Sequence, residues 1–373
     1  MGSHKNSKKK KRKKHKILIF IVEMILLLVL LAVLFLWTKY QKMEHVDNIE
    51  TQDVVNEDLG QTTQQVLKGF TNIAVFGLDN EKSGVFTSGN SDMIMIASIN
   101  NDTKEVKVVS VYRDTYLNVG TMEDRYFWKA NYAYNHGGPQ QAVRMLNQNL
   151  DLDISDYVAV DFYAVCKVID LLGGLEINVE EGMMEEINIY IAETAAYTGL
   201  EPHQVSHPGV QLLDGVQATA YCRLRHDAND FRRAQRQREV LSKMIEKTKA
   251  SNIFTINKII DAVLEDISTD LTQMQMISMA SQLFSYELVG TAGFPFELYV
   301  FDLSRKYIVA PCDLEKNVRE LHAYLFGEYQ YQPSNTVMEL SRAIAEDTGK
   351  GVGDEQETGV AQDHYAQDQT VAE

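Results

Sequence analysis

Apolar and polar positions change rhythm several times along the chain. Ile17–Trp37 (ILIFIVEMILLLVLLAVLFLW) runs for 21 residues with Glu23 as its one charge. That length spans a bilayer core of about 30 Å. Residues 38–65 are polar and read as a stalk. From residue 66 the apolar positions fall into short blocks. Asn72–Leu78, Met93–Ile99 and Val106–Val111 read as buried strands, and Asn100-Asn101-Asp102 predicts a hairpin turn between the last two. Pro139–Leu150 reads as a helix opening after Gly137-Gly138, Tyr157–Val160 as a strand, and Phe162–Leu172 as a helix stopped by Gly173-Gly174. Leu175–Val179 alternates like a strand, Met183–Leu200 reads as a helical flap, Gln217–Arg225 as a strand and Phe231–Ala250 as a long helix. Two amphipathic stretches follow near Ile256–Ile267 and Leu271–Phe284, then a strand pair near Leu298–Val309 and a helix near Leu314–Phe326. Residues 331–373 are polar and acidic, most plainly after Ala345, and are expected to be disordered. Alternating strands and helices over 66–330 predict one α/β domain with a sheet flanked by helices.

Charge decides the orientation. Residues 1–16 hold nine of the 36 Lys and Arg and no acid, so 27 basic residues face 52 acidic ones in the rest. A basic segment before an apolar span places residues 1–16 in the cytoplasm, makes 17–37 a transmembrane signal anchor, and puts stalk and domain outside the cell. A cleaved signal peptide fits less well, because the apolar run is too long and ends in Phe35-Leu36-Trp37 rather than small residues. The acidic balance argues against nonspecific nucleic-acid binding. Cys166, Cys222 and Cys312 have neither metal-ligand nor disulfide-framework spacing and read as small core residues.

The densest chemistry lies in Tyr221–Val240 (YCRLRHDANDFRRAQRQREV), with six arginines. Read as a strand, Tyr221, Arg223 and Arg225 share a face. Asp230 reads as a helix N-cap, after which Arg233, Arg236 and Gln237 share a helix face. Guanidiniums gathered from both elements need an anion among them, and their planar forks suit phosphate oxygens, with a helix N-terminus adding donors. Arg232 and Arg238 fall off that face and read as solvated surface charges. Asp79 and Asp92, each at a strand end, suit a hard cation, although a lone Asp there is more often a turn residue. Arg113-Asp114 after the third strand reads by itself as an ion pair. Neither a nucleophile triad nor a phosphate-binding glycine loop appears, so any chemistry is phosphoryl transfer assisted by arginine and metal.

Taken together, NIAVFGLD (72–79), SDMIM (91–95), SVYRDTY (110–116), KANYAYNHGG (129–138), YVAVDFYAVCKVIDLLGG (157–174), LDGVQATAYCRLR (213–225) and DFRRAQRQ (230–237) resemble the LytR-CpsA-Psr family of cell-envelope proteins. The resemblance implies a central mixed β-sheet flanked by helices, with an apolar pocket for a polyprenyl tail. It also implies an extracytoplasmic phosphotransferase of a Gram-positive bacterium. Such an enzyme moves wall teichoic acid or capsular polysaccharide from a polyprenyl-pyrophosphate carrier to a peptidoglycan hydroxyl. By motif position, Asp79 and Asp92 are the acids associated with Mg²⁺ or Mn²⁺. Arg113, Arg223, Arg225, Arg233, Arg236 and Gln237 form the pyrophosphate grip, with Asp79 a candidate base. Two positions depart from the family pattern: Tyr112, where many members have Pro, and Asn90, where Arg is frequent. The rival readings are a polyprenyl-pyrophosphate hydrolase and a non-catalytic lipid-binding regulator of wall assembly.

Overall fold

Strand β1 (Phe70–Leu78) pairs antiparallel with β2 (Ser91–Asn100), which pairs antiparallel with β3 (Glu105–Val111). The turn between β2 and β3 is held by the Asn100 side chain, which accepts the Asp102 and Thr103 N–H groups at 2.9 and 3.0 Å. The computed structural model describes residues 54–80, 84–87, 89–225, 230–263 and 266–356. The expected basic segment, membrane span and most of the stalk therefore lie outside the described residues. Among the described residues, no helix is long and apolar enough to cross a membrane.

A short two-stranded unit, β4 (Tyr116–Asn118) and β5 (Phe127–Lys129), leads into α2 (Tyr132–Leu150). An earlier short helix, α1, is Gln61–Leu67. The chain then runs through β6 (Asp156–Val160), α3 (Phe162–Leu171), β7 (Leu175–Val179), α4 (Met184–Thr198), β8 (Gly209–Leu213), α5 (Gly215–Arg223) and α6 (Asp230–Ala250). It closes with α7 (Ile253–Val263), β9 (Ile267–Thr269), α8 (Gln273–Ser281), β10 (Glu287–Phe294), β11 (Leu298–Leu303), β12 (Lys306–Pro311), α9 (Leu314–Phe326) and α10 (Asn335–Thr348). The main sheet is mixed, in the order β10-β3-β2-β1-β6-β9, with β6 parallel to β1 and β10 parallel to β3. The carboxyl ends of β1, β3 and β6 and the start of β2 therefore meet at one edge, where open α/β sheets leave a crevice for ligands.

The two faces of this sheet have different fates. Ala74, Phe76, Leu78, Ile94, Ile96, Val109 and Val111 fill a closed core with α2, α9 and α10. The alternate positions Val75, Gly77, Met93, Met95, Ala97, Val106 and Val108 face an open cavity beneath residues of α3 and α6. A second core lies under the antiparallel β7–β8 pair, α4 and α5.

Four expectations need correction. Gln217–Arg225 is not a strand. Asp214 and Gln217 form a capping box that starts α5, and this helix is buried on every side from Gly215 to Tyr221. A helix apolar all round has no 3.6-residue period to betray it. Its close seat on α3 requires Gly215, where a Cβ would lie 2.2 Å from the Cys166 carbonyl oxygen. The stretch 256–267 is divided, since α7 ends at Val263 and β9 begins at Ile267. The stalk ends before residue 66, because Val54 and Leu59 are already buried in the first core. The polar tail likewise begins later than residue 331. Helix α10 packs Val337, Leu340 and Ile344 into that core, and Asp151 accepts the Ser334 N–H at 2.7 Å and an Asn56 amide N–H at 2.6 Å. Acidic residues on the outer face of α10 hide its apolar stripe in a composition average.

Deleting residues 331–373 is expected to lower the urea unfolding midpoint clearly. Each of the three aliphatic side chains contributes about 1.5–3 kcal/mol when fully buried, and Asp151 loses partners. An unchanged midpoint would mean that α10 adds nothing to the core.

Candidate functional site

The sheet edge carries a cluster of alternating charge. Asp92, at the start of β2, receives Arg113 at 2.8 Å and Arg233 at 2.9 Å on the same oxygen. Arg233 also donates to the Asp92 backbone carbonyl at 2.7 Å. Asp230, in the first turn of α6, lies 3.1 Å from Arg113 and 3.6 Å from Arg233. Arg113 further neighbours Asp114 at 3.7 Å, and Lys129 binds Asp114 at 2.8 Å. Burial pushes Asp92 up, but Arg233, Arg113 and Arg225 outweigh it and hold its carboxyl below the usual range. Burial raises Asp230 despite Arg233 and Arg113. Desolvation at the mouth and then the Asp92 charge raise Asp79, against Arg223, Arg233 and Arg225, although the Asp79 residue remains exposed to water.

This cluster forms part of the mouth of the cavity, which has a volume of about 390 Å³. Asp79, Asp92, Arg223, Arg225, Arg233 and Gln237 line the polar end. Met93, Met95, Val108, Val168, Met244 and Ile245 belong to the apolar remainder. Gly77 is required on the cavity floor, since a Cβ there would lie 2.9 Å from the Met93 Cβ.

The expected arginines do not all converge. Arg223 ends α5 and lines the mouth with only 12% of its side chain exposed. Its guanidinium lies 4.8–5.2 Å from the rings of Phe162, Tyr190 and Tyr197. It donates to Thr194 Oγ1 at 3.0 Å and to Glu193 at 3.3 Å. Arg225, just past the helix, is 54% exposed and 4.0 Å from Asp92, with its backbone N–H on Glu186 at 2.8 Å. Arg223 and Arg225 thus reach one mouth from a helix end rather than from a strand face. Arg233 and Gln237 are at the mouth, and Arg113 stands behind Asp92. Arg236 is buried away from it, donating to the Leu224 carbonyl and sitting 5.9 Å from the Tyr221 ring. Arg232 is exposed as expected, but Arg238 is buried, with its guanidinium hydrogen-bonded to the Tyr112 phenol. Tyr190, Glu193, Thr194 and Tyr197 escaped the sequence reading, although their i, i+3, i+4, i+7 spacing marks one face of α4.

Among the described residues, no group of three or more His, Cys, Asp or Glu is arranged to hold a metal ion. Asp79 and Asp92 supply two carboxylates at the mouth, a donor set that suits Mg²⁺ when substrate phosphates and waters complete its shell. Both close ion pairs of Asp92 fall on Oδ2.

The site belongs to an α/β protein of mixed sheet, with a carboxylate and guanidinium mouth joined to an apolar cavity. The profile of the LytR_cpsA_psr family matches residues 33–320, and the chain belongs to that family. Its sequence is 28% identical over 190 residues to biofilm regulatory protein A of Streptococcus mutans, covering 49% of this chain and 45% of that one. It is also 28% identical over 245 residues to polyisoprenyl-teichoic acid–peptidoglycan teichoic acid transferase TagT of Bacillus subtilis, covering 63% of this chain and 72% of that one. The match thus spans less than half of the first relative's length. The fold is shared with the LytR-CPS2A-psr family protein YwtF (TagT) with bound octaprenyl pyrophosphate lipid. That likeness has a TM-score of 0.50 at 22% identity, over 70% of this chain and 92% of that one.

Arg236→Ala is expected to destabilise the fold by about 1–3 kcal/mol in urea melts, because it orphans a buried carbonyl. Arg225→Ala, at an exposed position, is expected to stay within about 0.5 kcal/mol. Equal effects would overturn this division of roles.

Proposed function

We propose that this chain transfers a glycopolymer, wall teichoic acid or capsular polysaccharide, from a polyprenyl-pyrophosphate carrier to peptidoglycan on the outer side of the cell membrane. The observation that carries this reading is the joining of an apolar cavity to a mouth bearing Arg223, Arg225 and Arg233. Both parts are needed to hold a prenyl chain and a diphosphate in one molecule. The name and the bound lipid of the TagT relative support it. The 17–37 segment supports a single-pass anchor with a cytoplasmic N-terminus.

In this reading the apolar walls take the prenyl chain and the guanidiniums spread over the diphosphate oxygens, where fixed positive charge lowers the barrier. A peptidoglycan hydroxyl attacks the phosphorus attached to the polymer sugar. An O–P bond forms to the acceptor, the bond to the bridging oxygen breaks, and polyprenyl phosphate leaves. The hydroxyl proton passes to a nearby base, for which Asp79, with its raised pKa, is the candidate. Mg²⁺ or Mn²⁺ bound at Asp79 and Asp92 would add charge neutralisation on the diphosphate.

Arg223→Ala and Arg225→Ala are each expected to cut transfer from a lipid-linked donor by about 10²-fold or more, with the fold retained in both variants. Product release from donor without peptidoglycan would instead identify a hydrolase, and full activity in both variants would remove the arginine assignment. Ala97→Trp fills the cavity and is expected to abolish retention of prenyl lipid in native mass spectrometry of the folded protein. Undiminished lipid in that variant would separate the cavity from the carrier.

A further inference from the structure

After Lys129, which pairs with Asp114 in the charged cluster, the KANYAYNHGG segment (129–138) takes no part in the cavity lining, yet it begins beside it. The Ser91 N–H donates to the Asn131 carbonyl at 3.4 Å, the Asn131 N–H to the Arg113 carbonyl at 3.0 Å, and the Asn135 amide to Asn90 Oδ1 at 3.2 Å. From that corner a row of rings leads away. His136 stacks on Tyr132 at 5.4 Å, Tyr132 meets Tyr126 at 5.9 Å, and Tyr126 stacks on Trp128 at 6.1 Å. Lys306 lies 5.2 Å over the Trp128 ring. His136 and Asn135 are exposed, and Tyr126 is 46% exposed. Aromatic rings that pack on the core on one side and meet water on the other present an apolar face with a polar tip.

We infer that this row is the seat of the acceptor glycan, the amino-sugar strand of peptidoglycan, whose pyranose faces lie on the rings while its carboxylates meet Lys306. The inference rests on the transfer reading above and names the acceptor's place within it. Helix α2 and the β4–β5 unit pack on the closed face of the sheet, whereas the cavity opens on the other face. The carboxylates and arginines stand on the edge between. In-line displacement at phosphorus brings the attacking oxygen opposite the leaving one. With polyprenyl phosphate leaving into the cavity, the acceptor arrives from the side on which the row lies. The donor polymer has no such geometric requirement, which is why the row is assigned to the acceptor.

The test uses the full chain in detergent with undecorated peptidoglycan glycan strands. Trp128 and Trp37 are the two tryptophans, so in a Trp37→Phe background the emission of Trp128 reports on the row. Saturable change in that emission on adding strands is expected whether or not transfer occurs, so binding is read separately from the reaction. Tyr126→Ala and His136→Ala are expected to raise the half-saturating strand concentration about tenfold, in binding and in transfer, with turnover at saturating strand kept within about twofold. Tyr126→Phe is expected to restore it. Emission indifferent to strands, or variants that shift only the donor's half-saturation, would overturn the assignment. Binding without any transfer would uphold the row and sink the transfer reading instead.

Discussion

The site depends on the Asp92 carboxylate staying ionised inside a ring of arginines. Arg113 comes from the end of β3 and Arg233 from the first turns of α6, and both close on one oxygen of Asp92. Asp230 bridges the same two guanidiniums from the other side. Taking such ions out of water costs several kcal/mol each, a penalty met only when every charge has partners of opposite sign. The alternation of acid and base meets that condition and ties the sheet edge to the start of α6. It also sorts the arginines. Arg113 and Arg233 hold Asp92 and Asp230 closely, Arg233 while still lining the mouth, whereas the Arg223 guanidinium pairs with the exposed Glu193 and the exposed Arg225 guanidinium comes only to 4.0 Å from Asp92. A diphosphate can displace an exposed carboxylate from Arg223 at small cost, whereas displacing Asp92 would leave buried charge without a partner.

The three rings around Arg223 serve the same end. A guanidinium is a weakly hydrated cation whose face tolerates aromatic neighbours while its edge keeps its donors. Phe162 from α3 and Tyr190 and Tyr197 from α4 hold that plane beside the cavity wall, and the acid paired with it, Glu193, is itself exposed. Gly77 belongs to the same economy of space: its missing side chain leaves room for Met93 at the point where cavity and mouth join.

Much of this was legible in the sequence. The strand blocks at 72–78, 93–99 and 106–111 and the hairpin between the last two follow from their apolar runs and turn residues, and Phe231–Ala250 from its helical period. The acids Asp79 and Asp92 and the arginines Arg223, Arg225 and Arg233 stand out in the sequence, whereas their meeting at one mouth is set by the fold. What failed did so for physical reasons. Helix α5 is buried on every side from Gly215 to Tyr221, so residues 217–225 have a strand's look. Arg236 and Arg238 stand at helical spacings that suit a phosphate grip or a wet surface equally well. Only tertiary packing sends one to the Leu224 carbonyl and the other to the Tyr112 phenol. Helix α10 was hidden by the acidity of its outer face, and the role of α4 by a contact with Arg223 more than 25 residues away in the chain.

The sheet's two unlike faces explain why the charged edge lies where it does. A strand offers alternate side chains to opposite faces, so one run such as Met93–Ile99 can build a dense core with Ile94 and Ile96 and an open wall with Met93, Met95 and Ala97. A cavity of about 390 Å³ thus requires no separate domain, only a face left unfilled beneath α3 and α6. Charge cannot be placed in the middle of either face without a large desolvation penalty. The strand ends are where backbone, carboxylates and a helix start come together with access to water. The same edge borders both faces, so groups held there can act between an apolar ligand on one side and a polar one on the other.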